Sequence, residues 1–335
     1  MKTKIGALLA ISLLLAGLKG NAQEAGWNEY IISKGYAYQN LTVFFVKADM
    51  PDDYDHLVTL DQAIQEGMVK VFETQDVDEL SIQNFSSETI FIQAGDIVKG
   101  GKQDRVIPVD LILPPKSERM PLASFCVEHG RWAQRGDEDL GEFSSSTKRI
   151  SSKELKLAAI RDNSQQEVWE KVEVVQDNLS VNMGVSVEDS RSASSMQLTL
   201  ENEELTKLLQ EFIEWFNDQY EDQENVTGMV FAINGEINSA DIYNSNGLFA
   251  KLWPRLVEAA ATEAIEKQSK TKTYDTLSAS GIAAWLEQSE DTPKRERKDF
   301  VYSSVIISES PEFLVYQCFD MQHGGSWVHL NIIQQ

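Results

Sequence analysis

The chain has 335 residues, 42% hydrophobic and 25% charged, a globular composition with enough apolar side chains to bury a sizeable core. Its formal charge of −23 gives a surface that repels nucleic acid and anionic membranes, so neither is an expected partner. The two cysteines, Cys126 and Cys318, lie far apart in apolar, strand-like runs and are expected as separate buried thiols rather than a bridge.

The N-terminus reads as an export signal. Lys2 and Lys4 precede an apolar stretch from Ile5 to Leu18, and Gly20-Asn21-Ala22 supplies small residues for cleavage. This stretch is too short for a membrane span. Removing residues 1–22 takes away Lys2, Lys4 and Lys19 and no acid, moving the charge from −23 to about −26. The mature chain is expected to be soluble and periplasmic or extracellular.

Residues 27–33 and 41–47 are β-branched and aromatic and read as strands. Thr59-Leu60-Asp61-Gln62 has capping-box spacing and starts a helix from Leu60 to Glu66, which Gly67 ends. Strands follow at 68–73, 79–84, 88–93, 105–113 and 119–127; in 105–113, Ile107, Val109, Leu111 and Leu113 alternate onto one face. Residues 136–152, with Asp137, Glu138, Asp139 and Ser144 to Ser146, read as an exposed loop. A helical region of about 153–179 and a small, polar, flexible segment at 184–198 come next. Leu205, Leu208, Leu209, Phe212, Ile213 and Phe216 form a helical stripe. Met229–Asn234 and Glu236–Tyr243 pair as a hairpin across Asn234-Gly235. Helices at 247–268, around Pro254, and at 279–288 precede strands at 300–307, 312–319 and 326–333. The fold class is α+β: a mainly antiparallel β region over 23–135, then a helical middle and a mixed C-terminal segment over 136–335, packed as one family domain.

Chemistry concentrates in two stretches, Gly95 to Arg105 and Cys126 to Trp132. Gly95 and Gly100 have the gap of a phosphate loop, but Gly101 stands where its Lys belongs and Gln103 where its hydroxyl belongs. The spacing excludes a Walker A loop, and with export removing the supply of ATP a nucleotide hydrolase is not expected. Glycine N–H groups can still form an anion nest, with Lys99, Lys102 and Arg105 adding positive charge; a tight turn with solvated cations is the structural alternative. Glu128 is a candidate general acid or base and Cys126 a candidate nucleophile. In a strand Cys126 and Glu128 share a face that His129 does not. His323 and His329 bracket Gly324 to Val328, too few donors for a zinc site, and neither metal nor cofactor is expected.

Thr59 to Ala63, Gly95 to Arg105, Cys126 to Trp132, Gln166-Glu167-Val168-Trp169 and Asn246-Gly247-Leu248-Phe249 occur in an order that resembles the ADP-ribosylglycohydrolase- and rhodanese-phosphatase-associated domain family, over roughly residues 30–270. The family name records association with enzymes of ADP-ribose and phosphate chemistry and no catalytic activity of the domain itself. Asp96 stands where the family has Glu, one carbon shorter. The resemblance implies one shared polar site, with Gly100, Gly101, Lys102, Gln103, Arg105 and Arg131 as ligand-binding residues, Glu128 beside them and Trp132 as an apolar wall. The expected function is an exported binding or accessory domain for a small anion such as a phosphate or ribose phosphate. A hydrolase using Glu128 and a structural or partner-binding envelope protein are the alternatives. Cationic ends converging on an open cleft would mark a site; ends sealed against Asp96, Asp104 and Glu128 would mark a structural network.

Overall fold

Strand-forming runs at both ends of the chain meet in one sheet. A computed structural model describes residues 29–335 except 51, 75, 151, 270–273 and 275; the expected signal peptide lies outside the described residues. From the N-terminal side come β1 (Ile31–Ile32), β2 (Tyr36–Tyr38) and β3 (Leu41–Lys47). From the C-terminal side come β14 (Val226–Ile233), β15 (Glu236–Tyr243), β16 (Lys294–Asp299), β17 (Ser303–Glu309), β18 (Phe313–Asp320) and β19 (Ser326–Gln334). They pair antiparallel in the order β1-β3-β14-β15-β19-β18-β17-β16, with β2 also on β3. Alternation along β3 sends Val43 and Phe45 into the main core, while Phe44 and Val46 join Trp285 and Leu286 of α7 (Ala279–Glu290) on the other face. The sheet is thus buried on both sides at β3.

The middle strands build two smaller sheets. One has the order β10 (Leu111–Leu113), β7 (Ile90–Ile92), β4 (Val58–Thr59), with β4 and β7 parallel. The other runs β11 (Met120–Ala123), β6 (Glu79–Asn84), β5 (Val69–Phe72), β13 (Glu142–Arg149), β8 (Asp96–Gly100), β9 (Arg105–Val106), β12 (Phe125–Cys126). Between them sits a second apolar cluster that includes Leu80, Ile82, Ile90, Val98 and Leu113. Helices α1 (Leu60–Gln65), α2 (Lys153–Ile160), α3 (Gln165–Met183), α4 (Met196–Leu200), α5 (Glu203–Glu221) and α6 (Asn246–Glu266) complete an α+β fold with antiparallel sheets.

Strand β3, the β14–β15 hairpin and α6 lie where periodicity places them. Asn234 and Gly235 take φ of 56° and 78°, as the type I′ turn requires. Other segments differ. The serine-rich run expected as a loop contains β13, hydrogen-bonded between β5 and β8 and burying Phe143, Ser146 and Arg149; pairing on both sides outweighs weak strand propensity. The strand expected over 105–113 is split into β9 and β10, which belong to different sheets. The helix expected over 153–179 is broken at Asn163 (φ 49°), and Ser164 caps α3 by accepting from Glu167 N. The segment expected to be flexible holds α4 and buried Val187, Ser195 and Met196. Thr59 precedes α1 but its side chain makes no capping bond. On α5, Leu208 lies on the solvent side of the stripe. The edge strand β16, Lys-Arg-Glu-Arg-Lys-Asp, has no apolar alternation to announce it, in keeping with charge on an edge that discourages further pairing.

Gly228 on β14 pairs with Ile242 of β15. A Cβ there would lie 2.6 Å from Asp241 O and 2.8 Å from Ile242 Cα, backbone atoms that cannot turn aside. Gly228→Ala is expected to cost about 3 kcal/mol or more, read as a lower urea midpoint at unchanged m.

Candidate functional site

The Gly95–Arg105 stretch folds as the β8–β9 hairpin. Gly101 takes φ of 52°, and a Cβ on it would lie 2.4 Å from the Phe143 ring of β13. Glycine is therefore required here by the close approach of the chain to itself. The donors of the turn are also taken from within. Gly100 N donates to Asp104 Oδ1 at 3.0 Å, Lys102 N to Glu73 Oε2 at 3.2 Å and Asp104 N to Glu128 Oε2 at 3.0 Å. Gly101 N donates to the Asp139 carbonyl at 3.1 Å. These N–H groups do not converge on one anion: each is spent on a separate carboxylate or carbonyl of the protein.

The cations are closed in the same way. Arg131 Nε donates to Glu128 Oε1 at 2.7 Å, and its other nitrogens donate to the carbonyls of Gly100, Gly101 and Ala133. Arg135, outside the expected site, grips Asp104 with two parallel bonds of 2.8 Å and also meets Glu128 and Glu138. Burial works against its charge, but Asp104, Glu138 and Glu128 hold its pKa above the ordinary range. The side chains of Asp104 and Glu128 are fully buried, and those of Arg131 and Arg135 are 8% and 3% exposed. Gln103 Nε2 donates to the Glu128 carbonyl at 2.7 Å. Arg105 is fully buried, its Nη1 donating to Gln103 O at 3.2 Å and its Nη2 standing 3.8 Å from Glu73 Oε2. Among the polar residues expected to line a site, the structure brings Gly100, Gly101, Gln103, Arg105, Glu128 and Arg131 together and seals them. Lys102 is half-buried, with its ammonium 5.8 Å from the ring centroid of Trp132, which is 50% exposed.

Cys126 pairs in register with Arg105 across β12 and β9. Its backbone N and O are both bonded to the Gln165 side chain at 2.8 Å. Burial pushes the thiol up to about 11, against the pull of Arg105, which leaves it protonated and unreactive near neutrality. Cys318 is a second buried free thiol. Arg135 was missed because it lies outside both motif stretches, just before the segment 136–152 that reads as an exposed loop.

A second polar network, not foreseen from the sequence, lies between the large sheet and the smaller two. His329 on β19 sets Nδ1 2.6 Å from Asp110 Oδ2 and Nε2 3.1 Å from Asp241 Oδ1. Tyr243 stacks on its ring at 4.5 Å. Gln93 Nε2 donates to Tyr243 Oη at 2.5 Å, and Gln93 Oε1 accepts from Arg149 Nη1 at 2.8 Å. Arg255 of α6 donates to Asp96 and Asp61 at 2.9 and 3.1 Å. The short Asp96 carboxylate is thus spent on Arg255 and on Gln93 N. Burial alone would lower the His329 pKa; Asp110 and Asp241 overcome it and push the imidazole up to about 9. His323 instead meets Asp320 at 2.5 Å near the surface, so the two histidines share no site.

Two outcomes are expected. Asp104→Asn leaves buried guanidinium charge without its partner and should cost about 3–5 kcal/mol, and a double-mutant cycle with Arg135→Met should show strong coupling. For His329, the proton is held more tightly folded than unfolded, so its stabilisation is complete below about 6.5 and is lost as pH rises through about 9. Thermal midpoints should fall across that window, and His329→Gln should remove that part of the slope.

No curated protein and no solved structure matches the chain. A family model for the ARG and Rhodanese-Phosphatase-superfamily-associated Protein domain matches residues 29–333. That match spans both charge networks and all three sheets, and the chain belongs to this family.

Proposed function

We propose that this chain is an exported, non-catalytic binding or accessory module, and that its Gly95–Arg135 cluster holds the fold together rather than performing a reaction. The observation that supports this is the mutual neutralisation of Asp104, Glu128, Arg131 and Arg135 out of water. A general acid or base must reach a substrate proton. Glu128 instead spends one oxygen on Arg131 and Arg135 and the other on Asp104 N. The alternative of a hydrolase using Glu128 and Cys126 has a saturated carboxylate and a protonated thiol against it. Export rests on the charge and apolar pattern of residues 1–22.

A second reading keeps a small anion as ligand, and Lys102 favours it. Among the described residues its ammonium pairs with no carboxylate, and it stands over the exposed Trp132 ring. A phosphate held there would meet one cation and an aromatic wall at the rim of the closed cluster.

Two measurements on the whole protein test these readings. Phosphoester, glycoside and thioester panels should give no turnover; activity abolished by Glu128→Gln in a folded variant would overturn the non-catalytic reading. In a thermal-shift screen, inorganic phosphate and ribose 5-phosphate should raise the midpoint by mass action if the anion reading holds. That rise should vanish in Lys102→Ala.

A further inference from the structure

The acids in the two networks are engaged by donors, but Glu266 at the end of α6 is not fully engaged. It lines a cleft of about 440 Å³ walled by α3, the start of α2 and the end of α6. Glu266 is 5% exposed. One carboxylate oxygen, Oε1, accepts from Asn178 Nδ2 at 3.3 Å. The other, Oε2, is buried and has no hydrogen-bond partner. A buried carboxylate oxygen without a donor is costly, and the residue that carries it lines the cleft.

The surroundings select the donor. Lys267 is the adjacent residue, and its ammonium is held at 2.9 Å by both Glu154 and Glu263. Glu263 Oε1 also accepts from Lys153 N and Asn238 Nδ2, while its Oε2, like that of Glu266, has no donor, but Glu263 does not line the cleft. Lys267 is thus taken up by Glu154 and Glu263, and Glu266 forms no ion pair among the described residues. An anion entering the cleft would meet this excess of negative charge. A hydroxyl would fill the vacant hydrogen bond but leave the charge. An ammonium supplies both. Val175 offers an apolar wall for a short methylene chain, and Lys171 on the same wall pairs with no carboxylate among the described residues.

We propose that the α3–α6 cleft is a binding site for the primary ammonium group of a small aliphatic amine or amino acid, with Glu266 as its carboxylate. The site is separate from the Lys102–Trp132 surface and goes beyond the reading of the chain as a binding module. Burial and then Glu263 push the Glu266 carboxyl up to about 7, while Lys267 and Asn178 pull it down and Glu154 adds to the rise. An arriving ammonium must displace that proton, so binding should strengthen between pH 6 and pH 8. The charged groups around Glu266 that set this dependence are Glu154 on α2, Lys171 on α3, and Glu263 and Lys267 on its own side.

Calorimetric titration of the whole protein with putrescine and with glycine tests the proposal. The expected result is saturable binding of at least one probe at pH 8, weaker at pH 6, and a loss of tenfold or more in Glu266→Gln. Circular dichroism and the thermal midpoint of that variant establish that it is folded. Lys171→Ala separates the sources: selective loss of glycine binding supports the site with an amino acid as its ligand, and unchanged putrescine binding supports it with a plain amine. No heat from either probe at pH 8 up to about 10 mM, weaker than any useful affinity, would overturn the proposal, as would binding indifferent to Glu266→Gln. Neither failure bears on the absence of turnover, and turnover in the substrate panels would leave the cleft assignment standing.

Discussion

A charge taken out of water must meet its opposite, and Asp104 and Arg135 do so through two parallel hydrogen bonds of 2.8 Å. Much else is tied to that one carboxylate. Asp104 also accepts from Gly100 N in its own hairpin and from Ser195 Oγ. Ser195 in turn accepts from Leu198 N and caps α4. Three stretches that are remote in sequence, the β8–β9 turn, the loop after β12 and the start of α4, are thereby held to one another. Pairing of this kind contributes little net stability because both ions lose their hydration, but losing either partner is severe. The arrangement therefore favours one way of assembling these loops over others.

The His329 network solves a similar problem at the centre of the molecule. Gln93 and Asp110 come from the segments around the smaller sheets, and Asp241 and His329 from the large one. A protonated imidazole can donate from both nitrogens, so it fits between the two acids that flank it. Arg149 and Arg255 extend the network to β13 and α6. Apolar contacts alone allow two sheets to slide past one another; directional bonds between buried polar groups do not.

Both networks contain residues that invite a chemical reading: a glycine turn with lysines and arginines, a histidine between two aspartates, a buried cysteine. Their carboxylates and the His329 imidazole are engaged by donors or acceptors within the protein. The α3–α6 cleft has the opposite character. Its residues carry no motif; Glu263 and Glu266 each leave a carboxylate oxygen without a donor, and of the two Glu266 lines the cleft.

The sequence by itself determined the fold class and the best-defined elements, because periodicity is local. Leu41–Lys47, the Asn234-Gly235 turn and the stripe of Leu205, Leu209, Phe212 and Phe216 follow from spacing and turn chemistry alone. It also drew attention to Gly95–Arg105 and Cys126–Trp132 as two sides of one cluster. A signal for the break before α3 was present too, in the Ser164 to Glu167 spacing. The serine-rich β13 and the charged β16 were not legible, since their strand character comes from neighbours and not from their own side chains. Whether the charged ends of Arg131 and Glu128 face a ligand or each other was likewise not a property of either stretch. Tertiary structure decided it by bringing in Asp104 from one side and Arg135 from the other, because electrostatic pairing depends on distances in space that separation along the chain does not encode.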